Sequence, residues 1–180
     1  TAPIGAIVRV KNDQLHFTGT LMSLDGKQRI DITDKMSWYD NIDMEEGTIL
    51  ADLEVLGLDS GQNYAVSLGG GAGALALFID SGNWYATQYN VSNNGIVSPG
   101  SNSVKASLRY SLSEDLYGHA VNGTLKSGTT GYNSQINYDN TQIVIGSSPN
   151  NTSTTLSGWY KKVSLYNEAM SETEITALTE

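Results

Sequence analysis

Residues 159–179 constrain the fold more than any other stretch. Trp159-Tyr160-Lys161-Lys162-Val163-Ser164-Leu165-Tyr166-Asn167 reads as a strand, and it runs directly into a short capped helix, Ser171 to Thr179. Ser171 is placed to cap the free N–H groups, Glu174 stands three residues on as its reciprocal partner, and Ile175 with Leu178 offers an apolar face. Upstream, Val121-Asn122-Gly123-Thr124 reads as a tight hairpin, because Asn-Gly tolerates the positive φ that a type I′ turn requires. One short helix in a chain otherwise built of alternating apolar and polar residues implies a sheet protein with a helical appendage.

The alternation recurs along the chain. Ile4 to Val10 and Leu15 to Leu24 are the first strand candidates, the second closed by Asp25-Gly26. Thr48 to Val55 sets Ile49, Ala51, Leu53 and Val55 on one face and Asp52 with Glu54 on the other, the pattern of a strand with one side in a core. Tyr64 to Leu68, Ala74 to Ile79 and Trp84 to Tyr89 follow, with Asp80-Ser81-Gly82-Asn83 as a turn. Val104 to Leu112 pairs with Leu116 to Val121, and Ile143 to Gly146 is a short strand. The polar stretches 90–102, 126–140 and 147–157 read as long loops. The glycine run Gly69 to Gly73 precedes a strand rather than a helix, so it lacks the helix N-terminus on which a phosphate cradle depends.

At 180 residues, with no linker or internal repeat, residues 1–180 read as one domain. The formal net charge of −9 disfavours nucleic acid, since Lys105, Arg109, Lys161 and Lys162 are too thin a set to make a basic patch. The chain has no cysteine, which excludes disulfides and thiol chemistry. No run approaches the ~18 apolar residues of a membrane span. No basic-then-apolar leader is present, and the opening at Thr1 without methionine fits a fragment or a processed product.

The order of elements resembles the concanavalin A-like jelly-roll superfamily, in particular its laminin G-like and phage virion modules. Asp115 to Gly123 resembles the hairpin ending in "vNG", and Ile143-Val144-Ile145-Gly146 resembles the strand "l.iG". Leu156 to Ser171, completed by Glu174, Ile175 and Leu178, resembles the closing pattern "l.G.i..v.iYn.aLs..Ei..L". Ser37-Trp38-Tyr39 with Glu46 to Asp52 resembles the opening of a bacteriophage subgroup. The resemblance covers residues 37–179. It implies an all-β sandwich of two antiparallel sheets with a short C-terminal helix. It also implies a place on a tail fibre, tailspike or capsid surface, with a host glycan or a neighbouring virion subunit as partner and a homo-oligomer, a trimer foremost, as the assembly.

Carbohydrate binding is the chemistry that the residue inventory supports best. Sugar rings stack C–H faces on aromatic rings and offer hydroxyls to Asn, Asp and Gln, and the chain has 3 Trp and 10 Tyr against 2 Phe. Trp84, Tyr85 and Tyr89 share a strand beside one polar stretch, and Tyr132 and Tyr138 lie in another; these five are the expected sugar contacts. An aromatic face of this kind also suits a subunit interface, so capsid decoration or fibre assembly is the structural alternative. A laminin G-like extracellular module is a third class, with formal glycosylation sites at Asn90, Asn122, Asn150 and Asn151.

No catalytic residue is expected. A glycosidase needs two carboxylates about 5–5.5 Å apart for retention or about 6.5–9.5 Å for inversion. Asp52 and Glu54 meet that spacing on one strand, yet leucine stands where the first glutamate of the related glucanase pattern belongs. A hydrolase or lyase is therefore the second alternative. His16 and His119 have no metal-ligand companion at short spacing, and no Gly-x-Ser-x-Gly turn exists. No cofactor is expected. Calcium donors would come from Asp40, Asn41, Asp43 and Glu45, or from Asp80 with Asn83, and neither group completes a calcium loop.

Overall fold

Two antiparallel sheets pack face to face in a computed structural model that describes residues 7–11, 14–23, 45–58, 61–70, 75–88, 91–92, 96–97, 102–130, 139–146 and 156–180. The first strands form in chain order as β1 (Ile7–Lys11), β2 (Gln14–Ser23), β3 (Glu46–Leu58), β4 (Asn63–Gly70), β5 (Leu75–Asp80) and β6 (Asn83–Gln88). After them come β7 (Val91–Ser92), β8 (Ile96–Val97), β9 (Ser103–Ser111), β10 (Leu116–Val121), β11 (Thr124–Thr130), β12 (Asp139–Ile145) and β13 (Leu156–Tyr166), and α1 (Glu172–Thr179) closes the chain. The seven-stranded sheet runs β1-β2-β13-β3-β9-β10-β11, and the six-stranded sheet runs β12-β4-β5-β6-β7 with β8 also on β6. The all-β sandwich with a C-terminal helix expected from the alternation is the observed fold.

Strand parity decides what is inside. Ile49, Ala51 and Leu53 of β3 and Val104, Ala106, Leu108 and Tyr110 of β9 face Leu75, Leu77 and Ile79 of β5 and Trp84 and Ala86 of β6 in one core cluster. Tyr117 and Tyr160 join it with no exposed surface. Burying each such side chain contributes on the order of 1.5–3 kcal/mol, which is why alternation is the dominant signal in this chain. Two glycines from the recognised motifs permit close approach between elements. A Cβ on Gly47 would lie 2.6 Å from Tyr110 Cζ, and one on Gly158 would lie 2.7 Å from the Glu54 carbonyl oxygen.

The C-terminal segment packs on part of the outer face of the seven-stranded sheet. The Thr48 hydroxyl donates to the Glu168 carbonyl at 2.8 Å and accepts Met170 N–H at 3.0 Å, pinning the chain as it leaves β13. The capping box forms as expected, with Glu174 N–H donating to Ser171 Oγ and Ser171 N–H donating to Glu174 Oε2. The helix packs across β9, β10 and β11. Its buried residues are Ile175 and Thr179, four apart on one line, while Leu178 is 39% exposed, so the expected Ile175–Leu178 face is corrected to Ile175–Thr179. The Asn-Gly turn is present, with φ of 43° at Asn122 and 74° at Gly123. Gly123 N–H donates to Thr179 Oγ1, fastening that turn to the helix end.

Two stretches expected as loops carry strand. Val91–Ser92 and Ile96–Val97 each pair with β6, and the β-branched residues there suit the extended backbone that the sheet edge provides. Pairing with β10 carries β11 through Thr130, past a register shift between Tyr117 and His119, and β12 begins at Asp139, so both ends of the expected 126–140 loop are strand; 131–138 lie outside the described residues. The stretches 24–44 and 147–155, with Trp38 and the Asp25-Gly26 turn, lie outside the described residues.

Candidate functional site

The outer face of the six-stranded sheet carries a row of three rings. Because Leu77 and Ile79 of β5 and Trp84 of β6 point into the core, the residues between and beside them, Phe78 and Tyr85, point the other way. The register places Tyr64 of β4 opposite Phe78 and Phe78 opposite Tyr85. The rings stack across the three strands, Tyr64 on Phe78 at 5.3 Å and 23° and Phe78 on Tyr85 at 5.2 Å and 15°. Each such pair contributes about 0.5–1.5 kcal/mol beyond its burial. Phe78 in the middle is 2% exposed, while Tyr64 and Tyr85 are partly exposed. Each tyrosine thus commits one ring face to Phe78 and turns the other away from it.

Polar groups gather along one side of this row. Asp80 ends β5 and Asn83 begins β6, joined by a turn with φ of 48° at Ser81 and 78° at Gly82. The Ser81 hydroxyl donates to Asp80 Oδ1 at 2.9 Å, and Asn83 Nδ2 donates to the Ser81 carbonyl. Tyr64 donates its hydroxyl to Gln62 Oε1 at 2.9 Å. Burial, and after it the Asp80 carboxylate, raises the Tyr64 phenol above its usual pKa, so the ring keeps its proton at neutral pH. Aromatic faces beside a carboxylate and side-chain amides can hold a polyhydroxylated ring, with C–H groups on the aromatic and hydroxyls on the polar atoms.

The five expected sugar contacts divide. Tyr85 stands in the row. Trp84 does not, since it is fully buried between the sheets, so its role is corrected from sugar contact to core: adjacent residues of one strand face opposite ways. Tyr89, Tyr132 and Tyr138 lie outside the described residues. Tyr64 and Phe78 were not singled out from the sequence. The signal for them exists only in pairing, because residues 64, 78 and 85 come together through strand register and not through spacing along the chain.

The remaining candidates are elsewhere. Asp52 and Glu54 share the outer face of the seven-stranded sheet, with Lys105 and Lys162 opposite Asp52 in register and Lys161 Nζ 4.0 Å from its Oδ1. His119 is buried without exposed surface, and its Nε2–H donates to the Trp84 carbonyl at 3.2 Å. Desolvation lowers its pKa from 6.5 to about 4, so at neutral pH it is a neutral core side chain. Among the described residues no group of three or more His, Asp and Glu side chains could hold a metal; Asp40, Asn41 and Asp43 lie outside them, and Glu45 is exposed.

These features define the class as a two-sheet antiparallel β-sandwich with the C-terminal helix packed on part of one outer face and a ring-bearing face opposite. Solved structures share that architecture. The carbohydrate-binding module CBM40 of the Ruminococcus gnavus IT-sialidase, bound to α2,6-sialyllactose, matches with a TM-score of 0.74 and 16% identity over 93% of this chain and 98% of its own. The NanB sialidase from Streptococcus pneumoniae matches at 0.67 and 16% identity over 93% of this chain, which spans 28% of that enzyme. A Trypanosoma rangeli sialidase mutant matches at 0.64 and 17% identity over 95% of this chain and 28% of its own. No protein-family model matches the sequence, and no curated protein does.

Proposed function

We propose that the chain is a non-catalytic glycan-binding module that works from the outer face of the six-stranded sheet. The observation that carries this reading is the stacked row Tyr64–Phe78–Tyr85 with Asp80 beside it, two residues along β5 from Phe78. Support comes also from the Ruminococcus gnavus module of like fold that was solved with a sialyl-oligosaccharide bound. The non-catalytic part rests on Asp52 and Glu54, which lie side by side on one strand surface rather than across a cleft, Asp52 in register with Lys105 and Lys162 and Glu54 with Ser103 and Trp159. Placement on a phage tail fibre or capsid surface rests on the motif resemblance over residues 37–179. In that setting several copies on one particle would convert weak single contacts into avidity.

Glycan-array binding followed by calorimetry tests the reading. Tyr64→Ala and Tyr85→Ala are each expected to weaken the best glycan by about tenfold, the loss of roughly one stacked ring face. Both variants bind as the unaltered chain does if the site is elsewhere, and that result would overturn the placement. A second reading, an assembly surface, is favoured by Leu56 and Leu58, 49% and 47% exposed at the far end of β3. A stable oligomer dispersed by Leu56→Ser with Leu58→Ser would support it.

A further inference from the structure

Among the described residues the cations belong to one sheet; Lys27, Arg29 and Lys35 lie outside those residues. Residues 36–104 contain no Lys or Arg and eight Asp or Glu, and residues 127–160 again contain no Lys or Arg. Every strand of the six-stranded sheet, and each segment joining β3 through β9 and β11 through β13, comes from those two stretches. Seven of the ten cations, from Arg9 to Lys162, lie instead in strands of the seven-stranded sheet. Arg109, the buried one among the described residues, is already engaged there by Glu114 at 2.8 Å. Among the described residues, the face that bears the rings offers aromatic surface, amides and the Asp80 carboxylate, on a chain of net charge −9.

That chemistry discriminates by charge. Binding a sugar carboxylate or sulfate calls for a charge-assisted donor, which is where arginine and lysine are used. Asp80 does the opposite: it repels an anion and accepts hydroxyl protons from a neutral ring. We propose that this site takes an uncharged saccharide, and that it does not use the acidic group of a sialoside, although the module of like fold was solved with one. The proposal rests on the glycan-binding reading above and specifies its ligand class.

Paired titrations of the full chain test it, each using an uncharged oligosaccharide and the same core carrying a terminal sialic acid, such as lactose against 3′- and 6′-sialyllactose, across a panel of cores. The expected result is that one or more uncharged cores bind and that sialylation never strengthens them. The dissociation constant of a neutral ligand should also change by less than about twofold between low and high salt, because no ion pair is screened. Asp80→Lys should shift the ratio of the two affinities toward the sialylated partner, with the buried Trp84 emission reporting that the variant is folded. Sialylated ligands that bind more tightly than their cores would overturn the uncharged class while leaving glycan binding intact. An unchanged ratio in folded Asp80→Lys would overturn the charge argument. A chain that binds no member of either set would overturn the glycan-binding reading itself, and this proposal with it.

Discussion

His119 donates Nε2–H to the Trp84 carbonyl and has no described partner at Nδ1, so a second proton would place a charge between the two sheets. Its pKa falls from 6.5 in a solvated chain to about 4 in the fold, chiefly by desolvation, with Lys126 adding to the effect. Between those values the unfolded chain binds the extra proton and the folded one does not. Stability is therefore full above pH 6.5 and declines as pH drops, by ~1.4 kcal/mol per unit and about 3 kcal/mol by the folded pKa. Glu174, held below the usual carboxylate range by Ser171, acts in the same direction at the exposed helix start. Urea unfolding at pH 7 and pH 4.5 checks this: His119→Gln should lose less stability between the two than the unaltered chain. An equal loss in both would remove His119 as the cause.

At the scale of elements, the closing helix is joined to the sandwich by few atoms, and those atoms are identifiable. Its start depends on Ser171 and Glu174, its seat on Ile175, and its end on Thr179, which accepts Gly123 N–H from the β10–β11 turn. Ser171→Ala is expected to cost about 1 kcal/mol. It should also raise amide exchange at Ala177 and Thr179 ahead of the strands; unchanged exchange would show that tertiary packing alone holds the helix. Most of this element was legible in the sequence, because a capping box and an Asn-Gly turn are local chemistry. Leu178 turns outward instead: a one-sided helix of eight residues presents too narrow a line for spacing alone to rank its apolar positions. The short strands β7 and β8 and the extension of β11 were hidden for a different reason: their hydrogen bonds are supplied by β6 and β10, and polar composition masks a backbone that a neighbour makes extended. Parity separates Trp84 from Tyr85, but parity does not say which face is the inner one, so the sequence alone leaves the tryptophan among the expected sugar contacts.

At the scale of the molecule, the two outer faces carry different side chains. The C-terminal segment and α1 lie on the seven-stranded sheet, which also carries the lysines among the described residues and the Asp52–Glu54 strand face. The six-stranded sheet carries the aromatic row and no Lys or Arg in any of its strands. The aromatic inventory pointed to sugar, but its placement needed register, since Tyr64 and Tyr85 meet only by stacking on Phe78 between them. Amide and ring chemical-shift mapping during titration with the tightest-binding glycan tests the assignment of this face most directly. Shifts concentrated at Tyr64, Phe78, Asp80 and Tyr85 are the expected result. Shifts concentrated at Asp52, Glu54, Trp159 and Lys161, with the aromatic row silent, would contradict it and move recognition to the opposite sheet.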